Sequence, residues 1–458
     1  MPRCRFLERF FHIRERGSTP RREALGGVST FLAMSYIVFV NPAILSQAGV
    51  PFTGVAVATA LAAGVATIVM GLVANIPLAL ASGLGLNALV AFDIIIGQKV
   101  GWAVGMACVV IEGLIAVVLV LAGLREAVVR AVPSSLKLSI GVGIGIFIAF
   151  VGLRDGGIVV NDPATGIALG NLTSGPALIA LAGIFVGIAL TARGFRGAVI
   201  VGVLTTTALG LIFGVLDGPD GIARWPGEAG FETIGDALKP SNLADALTWA
   251  LVPLIFALFM SDFFDTIGTA VAVSTAGGLT DEHGDPPQLR RLLLVDSGSA
   301  ALGGAMGVSS VTAYVESGAG VSEGARTGLA NLVTGGLFLA TIVFVPLIAV
   351  VGQSVPYVGD TTISPAIAPA LVLVGFLMIQ LVAEIDWRTP ENALPAFLII
   401  IGVPMTFSIA AGIGLGVIGY AVVMVARGRA REIGAVMWLI VALFGVYFAS
   451  DWLEANVF

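Results

Sequence analysis

The fold is decided by the stretch PLALASGLGLNALV, residues 77–90, an apolar sequence that glycine interrupts and that carries an asparagine. A second stretch, VTAYVESGAGVSEG at residues 311–324, has a matching Ser-Gly-x-Gly core. The two cores, residues 82–85 and 317–320, lie about half a chain apart. We therefore expect two related halves, each with one broken helix at a corresponding place.

Composition places the chain in a membrane. It has 458 residues, of which 57% are hydrophobic and 11% charged, and its mean hydropathy is +1.01. Soluble domains are about a quarter charged. The charged residues cluster in short segments and leave more than ten apolar runs, each about as long as a membrane-spanning helix requires. Because these runs are continuous rather than alternating, we predict an all-α polytopic membrane protein and not a barrel.

Hydropathy predicts fourteen spans, seven in each half. The first seven are 28–47, 52–73, 84–96, 103–124, 136–153, 175–192 and 198–216. The second seven are 247–275, 292–306, 317–325, 329–351, 363–383, 393–409 and 413–425. The third and tenth spans are the broken ones. A last apolar run, 433–449, is either one more span or a helix along the membrane surface.

Basic residues orient these spans. The N-terminal arm, residues 1–25, has seven arginines and is expected in the cytoplasm. The rule then places the other basic loops on the same side: Arg125, Arg130 and Lys137, Arg193 and Arg196, Arg290 and Arg291, and Arg427, Arg429 and Arg431. An odd number of spans per half inverts the second half relative to the first. This inverted repeat is the plan of many secondary transporters.

A break at membrane depth is expected to create a binding site. Unpaired backbone groups are tolerated there only inside protein or beside a wet cavity, and a half-helix N-terminus attracts acceptor groups. The glycines at 83, 85, 318 and 320 allow a turn and close approach of a ligand. Pro77, Val308, Val311 and Thr312 favour short extended segments that pair with each other. The alternative is that the small residues only pack helices.

Three carboxylates in predicted spans are the candidate functional groups: Asp262, Asp265 and Glu316. A charge at the bilayer centre costs at least ~2.5–3.5 kcal/mol, so such residues default to function. Asp262 and Asp265 share one helix face. Burial and mutual repulsion favour the protonated form, so at least one acid is expected to exchange a proton. The alternative is a structural role, which we leave open for Asp296 and favour for Glu112.

Carboxylates accept hydrogen bonds and a helix N-terminus donates them, which suits a planar neutral molecule with both donors and acceptors. The breaks carry no lysine or arginine, which argues against an anionic substrate. Phe263 or Phe264 could stack on such a molecule, although a Phe-Phe pair is more often core or lipid-facing. Both histidines, His12 and His283, lie in loops, and Cys4 and Cys108 are far apart in sequence. We therefore expect no metal, no cofactor and no enzyme active site.

Four motifs resemble one family: ASGLGLNALVAF (81–92), SDFFDTIGTAVAV (261–273), VTAYVESGAGVSEGARTGLANLVTG (311–335) and APALVLVGFLM (368–378). They closely resemble the azaguanine-resistance-like branch of the nucleobase–ascorbate (nucleobase:cation symporter-2) transporters, which are purine permeases for hypoxanthine, guanine and adenine. The resemblance runs from residue 26 to about residue 420. It implies a homodimer in the cell membrane that carries purines by proton symport with elevator-like motion, and it implies no nucleic-acid partner.

The resemblance also implies a domain layout. The core domain is residues 26–125 and 246–351, and the gate domain is residues 126–216 and 352–426. An outside loop, 217–245, joins the halves, and the tail is 427–458.

By position in the family motifs, Asp262 and Glu316 resemble the two acids that hydrogen-bond the purine, and Asp265 resembles a partner acid needed for transport. Ala81 and Ser82 occupy the position whose backbone contacts substrate, and Gly83, Ser317 and Gly318 lie beside them. Asn87 matches a family asparagine. The chain departs from the family in having Ala-Ser where Ala-Pro is expected before Gly83.

Rival functions stay open at this point. The nearest is a uracil or xanthine transporter of the same superfamily, against which the Asp-x-x-Asp-Thr-x-Gly-Thr motif counts. An anion exchanger of the same fold would favour a basic or neutral residue in place of Glu316. A membrane enzyme would need a nucleophile–base pair or a metal cluster.

Overall fold

The computed structural model describes residues 8–123, 132–195, 197–281, 286–357 and 361–456. Several residues named above lie outside the described residues: the first seven of the arm, Arg125, Arg130, Arg196, His283 and the side chain of Phe264.

The first half is helical apart from a short strand and a hairpin. Its elements are α1 (Pro20–Met34), α2 (Ile37–Ser46), α3 (Phe52–Val73), β1 (Leu80–Ser82), α4 (Leu84–Ala88), α5 (Trp102–Leu121), α6 (Ser134–Asp155), β2 (Val159–Asp162), β3 (Gly166–Leu169), α7 (Gly175–Ala192) and α8 (Ala198–Ile212). α4 continues without a gap as a π-helix, Leu89–Gly97. β2 and β3 pair antiparallel between α6 and α7.

The second half also has one strand and one hairpin among its helices. Its elements are α9 (Pro240–Ala246), α10 (Val252–Ala276), α11 (Leu289–Met306), β4 (Val311–Ala313), α12 (Ser317–Ser322), α13 (Leu329–Thr341), α14 (Val345–Val351), β5 (Val355–Pro356), β6 (Thr362–Ile363), α15 (Ala368–Ile379), α16 (Pro390–Thr406), α17 (Ile409–Ala426) and α18 (Ala435–Asn456). Five short 3-10 segments join them: Glu228–Gly230, Asp236–Leu238, Ile342–Phe344, Gln380–Glu384 and Ala430–Glu432.

The apolar helices make this a polytopic helical membrane protein, as predicted. In the described part of the chain, eight helical segments are long and apolar enough to cross a membrane. Five more apolar helical segments are shorter: Leu84–Gly97, Ala198–Ile212, Ala368–Glu384, Pro390–Thr406 and Ala435–Ala449. The second and sixth predicted windows, 52–73 and 175–192, agree with α3 and α7 to the residue.

The first span differs from its prediction. The predicted window began at residue 28, whereas α1 begins at Pro20 and the chain turns at Ser35 and Tyr36 before α2. The Thr19 side chain accepts a hydrogen bond from Arg22 N at 3.3 Å, and proline follows at the first helical position. These are strong helix-start signals, and they act in a polar sequence that a hydropathy window passes over.

The predicted pairing of the two extended segments is confirmed. β1 and β4 form an antiparallel pair in which Leu80 faces Ala313 and Ser82 faces Val311. Every residue of both strands is buried. The pair therefore joins the two halves of the chain inside the helical body.

Glycines at the helix contacts let neighbouring helices pack backbone against backbone. A Cβ added at Gly113 of α5 would lie 2.4 Å from Ala301 N of α11. Gly64 of α3 meets Gly335 of α13 in the same way, and Gly145 of α6 meets Gly375 of α15. The most extensive contacts pair α5 with α11 and α3 with α13, and separately α16 with α17, α6 with α15 and α16, and α7 with α8.

Adjacent glycines in α13 give a matched test of this packing. A Cβ at Gly335 would lie 2.6 Å from Gly64 O, whereas a Cβ at Gly336 would meet open space. We expect Gly335→Ala to destabilise the protein by about 1–3 kcal/mol through overpacking. Gly336→Ala should be neutral or slightly stabilising, because alanine is the better helix former. Thermal unfolding of the purified variants measures both, and equal effects would contradict the packing.

Candidate binding site at the paired strands

Backbone hydrogen bonds extend the strand pair into both broken helices. Gly83 N donates to Ser310 O at 2.9 Å, and Tyr314 N donates to Ala79 O at 3.0 Å. Ala79 N donates to the Ser317 hydroxyl at 2.9 Å. The N-terminus of α4 and the N-terminus of α12 are thus tied to opposite ends of one small sheet.

Side chains from neighbouring helices satisfy the outer edge of β1. The Leu80 backbone groups point away from β4, and the Thr67 hydroxyl accepts from Leu80 N at 2.9 Å and contacts Leu80 O at 3.0 Å. Asn331 Nδ2 donates to Ile76 O at 3.0 Å and to Leu78 O at 2.8 Å. Buried backbone groups need such partners, so Thr67 and Asn331 stabilise the extended segment.

Two tyrosines hold the site from either side. Tyr36 lies in the turn between α1 and α2, and its hydroxyl donates to Glu316 Oε1 at 2.5 Å. The Tyr314 hydroxyl donates to Ser82 O at 2.5 Å. Glu316 is half-buried and immediately precedes α12, which receives no hydrogen bond from a capping side chain. Neither tyrosine was among the predicted site residues.

The α10 acids lie beside the same strands. Asp262 is buried, and its Oδ1 accepts from the Ser310 hydroxyl at 3.2 Å. Asp265, one turn later, is exposed. α10, which carries both acids, packs against β4 and α12. The helix with Asp262 and Asp265 therefore lies against the segment that carries Glu316.

Asp296 belongs to the supporting structure of the strands. The Thr266 hydroxyl donates to Asp296 Oδ2 at 2.7 Å and lies 2.9 Å from the Thr312 hydroxyl. α10, α11 and β4 are therefore joined by one buried chain of polar contacts. Glu112, the other acid considered, is fully buried in α5.

The glycines serve packing more than turns. None of Gly83, Gly85, Gly318 and Gly320 has a positive φ, so their backbone conformations do not themselves require glycine. A Cβ would lie 2.8 Å from Thr312 at Gly83, 2.9 Å from Ile144 at Gly85 and 2.3 Å from Thr30 at Gly320. At Gly318 a Cβ would meet open space. Of the four, only Gly318 lies where a ligand could approach the backbone.

Other predicted site residues are enclosed by protein. Phe263 is 1% exposed, and its ring lies 5.5 Å from that of Phe259, which fits the core alternative considered above. Ala81 and Ser82 are buried within β1, and the Asn87 side chain contacts the Ser82 hydroxyl at 2.7 Å.

Asp93 is a buried acid that the sequence analysis missed. It lies in the π-helix after α4, accepts a hydrogen bond from the Ser408 hydroxyl, and accepts another from Ile409 N at 2.9 Å. Asp93 therefore caps α17 from a different part of the chain. An acidic residue inside the third predicted span is the sequence signal that could have identified it.

A cavity of about 620 Å³ lies apart from these acids. Phe92, Phe407, Arg154, Gln47 and Asn161 are among its lining residues. Its lining, within the described part of the chain, includes none of the predicted site residues.

The Thr67 hydroxyl tests how far the site depends on the strand pair. Thr67→Val keeps the shape of the side chain but leaves the Leu80 N–H and C=O without the hydroxyl that they contact. We therefore expect the free energy of unfolding to fall by about 1–3 kcal/mol. Thr205→Val is the matched control, because that hydroxyl contacts only Val201 O of its own helix. Thermal unfolding should show a lower Tm for Thr67→Val alone. Equal Tm values for the two variants would contradict the stabilising role of the Thr67 hydroxyl.

Comparison with known proteins identifies the family of the chain. A family model described as "Permease family" matches residues 21–448. The guanine/hypoxanthine permease PbuG of Bacillus subtilis is 40% identical over 456 residues, covering 96% of this chain and 99% of its own. The adenine permease AdeP of Escherichia coli is 38% identical over 438 residues, covering 96% and 95%.

Solved structures share the fold at low identity. The transmembrane domain of the cyanobacterial bicarbonate transporter BicA has a TM-score of 0.61 and 17% identity, covering 85% of this chain and 97% of that one. This likeness concerns the fold alone. From the family model and the full-length relatives, the chain belongs to the nucleobase:cation symporter-2 family of permeases and is a transporter rather than an enzyme.

Proposed function

We propose that this protein is a secondary active transporter that imports purine nucleobases such as hypoxanthine, guanine or adenine. The observation that carries the proposal is the pair of strands that precede the two broken helices. Glu316 lies three residues after β4, and Asp262 accepts a hydrogen bond from Ser310, directly before β4. Relatives that match along their whole length bear the names of guanine/hypoxanthine and adenine permeases.

The chemistry of the site suits an uncharged purine. Glu316 has one oxygen engaged by Tyr36, so the other oxygen can accept a hydrogen bond from a ring N–H. Asp262 faces the same strands from the opposite half of the site and is the second acceptor. Backbone groups of Ala81, Ser82 and Gly83, and of Ser317 and Gly318, supply the complementary contacts. Open space beside Gly318 leaves room for a flat ring.

The proposed architecture has fourteen spans in two inverted sevens. The core domain (26–125 and 246–351) contains α3, α5, α11 and α13. The gate domain (126–216 and 352–426) contains α6, α7, α8, α15, α16 and α17. The helix pairs with the most extensive contacts fall within one or the other set, which supports the division. Elevator-like movement of the core against the gate, in a homodimer, would carry the substrate across.

Proton symport is the proposed driving reaction. Asp265 is exposed and lies on the same face of α10 as Asp262, where a carboxylate can take up and release a proton. Asp262, Asp265 and Glu316 are the proposed coupling residues. The distribution of basic residues supports a cytoplasmic N-terminus, and the cell membrane is the proposed location.

An anion exchanger is the second candidate, because the fold resembles that of a bicarbonate transporter. The acid at position 316 counts against it, since an anion would be repelled there. A uracil or xanthine carrier differs only in the ring that the same acids would hold.

Uptake of radiolabelled hypoxanthine into proteoliposomes tests the proposal. We expect Asp262→Asn and Glu316→Gln each to reduce uptake at least about a hundredfold, because a neutral side chain neither accepts as strongly nor exchanges a proton. Glu384→Gln, an exposed acid outside the site, is the control.

Competition by unlabelled solutes identifies the substrate class. Excess guanine or adenine should abolish hypoxanthine uptake, whereas uracil and sulfate should not. Normal uptake by either acid variant would remove that residue from the site, and inhibition by sulfate would favour the anion exchanger.

A further inference from the structure

The carbonyl of Val308 is the centre of a buried polar cluster. α11 ends at Met306, and the chain passes through Gly307 and Ser309, both with positive φ (78° and 66°), before β4 begins. Val308 O accepts hydrogen bonds from Asn41 Nδ2 at 3.2 Å and from the Ser82 hydroxyl. We call Asn41, Ser82, Asn87, Val308 and Ser309 the Val308 cluster.

Three side-chain atoms of this cluster have no hydrogen-bond partner within the protein. They are Asn41 Oδ1, Asn87 Nδ2 and Ser309 Oγ, and all three residues are 0% exposed. A buried polar atom without a partner is costly, and native structures contain few of them. The three residues are connected through Val308: Asn41 donates to its carbonyl, Asn87 contacts the Ser82 hydroxyl that does the same, and Ser309 follows it in the chain. Three such atoms in one connected cluster point to a small polar occupant.

The orientation of the Asn87 amide decides the chemistry of the occupant. The Ser82 hydroxyl has one proton but lies against two acceptors, Asn87 Oδ1 at 2.7 Å and Val308 O. Turning the Asn87 amide lets Nδ2 donate to the Ser82 hydroxyl, which then donates to Val308 O. Every Ser82 contact is satisfied in this arrangement, and Asn87 Oδ1 becomes the atom that faces the site.

The Asn41 amide is fixed in the other sense. Its Nδ2 donates to Thr59 Oγ1 at 2.8 Å as well as to Val308 O, and a turned amide would place two oxygens together. The atoms left for an occupant are therefore oxygens: Asn41 Oδ1, Asn87 Oδ1 and Ser309 Oγ.

The surrounding field favours positive charge. The cluster adjoins the C-terminal end of α11, where the helix dipole is negative. Ser310, the next residue, contacts the Asp262 carboxylate. Unwound backbone carbonyls at helix ends, with side-chain oxygens, are a common way for transporters to hold Na⁺. A hard monovalent cation prefers oxygen ligands of this kind.

We propose that the Val308 cluster binds a sodium ion, ligated by the oxygens of Asn41, Asn87 and Ser309, that holds the turn after α11 against β1 and α4. The ion stabilises the strand pair and need not travel with the transported solute. The inference is separate from the choice of nucleobase.

Cation-dependent unfolding of the purified protein tests the site without any nucleobase. At equal ionic strength, Tm should rise by about 2–4 °C between choline chloride and saturating sodium chloride, because an ion that binds only the folded state stabilises it. Ser309→Ala should lose this shift. Ser309 Oγ has no partner in the protein, and alanine tolerates the same backbone φ no worse than serine.

Ser274→Ala is the matched control, because its hydroxyl is also fully buried and without a partner but lies on α10 outside the cluster. It should keep the full sodium shift. Equal Tm values in sodium and choline would overturn the proposal and would fit a water molecule in the site. A sodium shift that survives in Ser309→Ala would also overturn it. These outcomes do not depend on whether the protein takes up hypoxanthine.

Discussion

The backbone of residues 76–83 and 308–316 is not helical although it lies inside a bundle of apolar helices, and the rest of the structure depends on how its hydrogen bonds are satisfied. The antiparallel pairing of β1 with β4 satisfies the inner edges of both segments. Thr67, Asn331 and Tyr314 satisfy groups that point elsewhere. Without these partners each exposed backbone group would cost several kcal/mol in hydrocarbon.

Once the strands are paired, the sequence positions of Glu316 and Asp262 explain why these acids lie near the strands. Glu316 comes three residues after β4. Asp262 of α10 accepts a hydrogen bond from Ser310, which immediately precedes the same strand. Tyr36 reaches the site because the first span bends beside it. The proposed transport site would thus draw on both halves of the chain, since each contributes one strand and the helix that follows it.

Much of this could be predicted from sequence, because the responsible signals are local. Apolar windows located α3 and α7 to the residue, and the Ser-Gly-x-Gly repeats with their β-branched neighbours predicted the strand pair. The partners of the strands could not be predicted. Tyr36, Thr67 and Asn331 act across long sequence separations and carry no local signature, and Asp93 reveals its role only when α17 lies against it. Glycine roles were also misjudged, since packing partners rather than φ explain Gly83, Gly85 and Gly320.

The central claim is that the paired strands and their acids form the nucleobase site. An electron cryo-microscopy map of the protein with bound hypoxanthine tests it most directly. The account predicts planar density between β1 and the Glu316 carboxylate, with Asp262 within hydrogen-bonding distance of the ring. Density instead in the cavity lined by Phe92, Phe407 and Arg154, with no density at the strands, would contradict it.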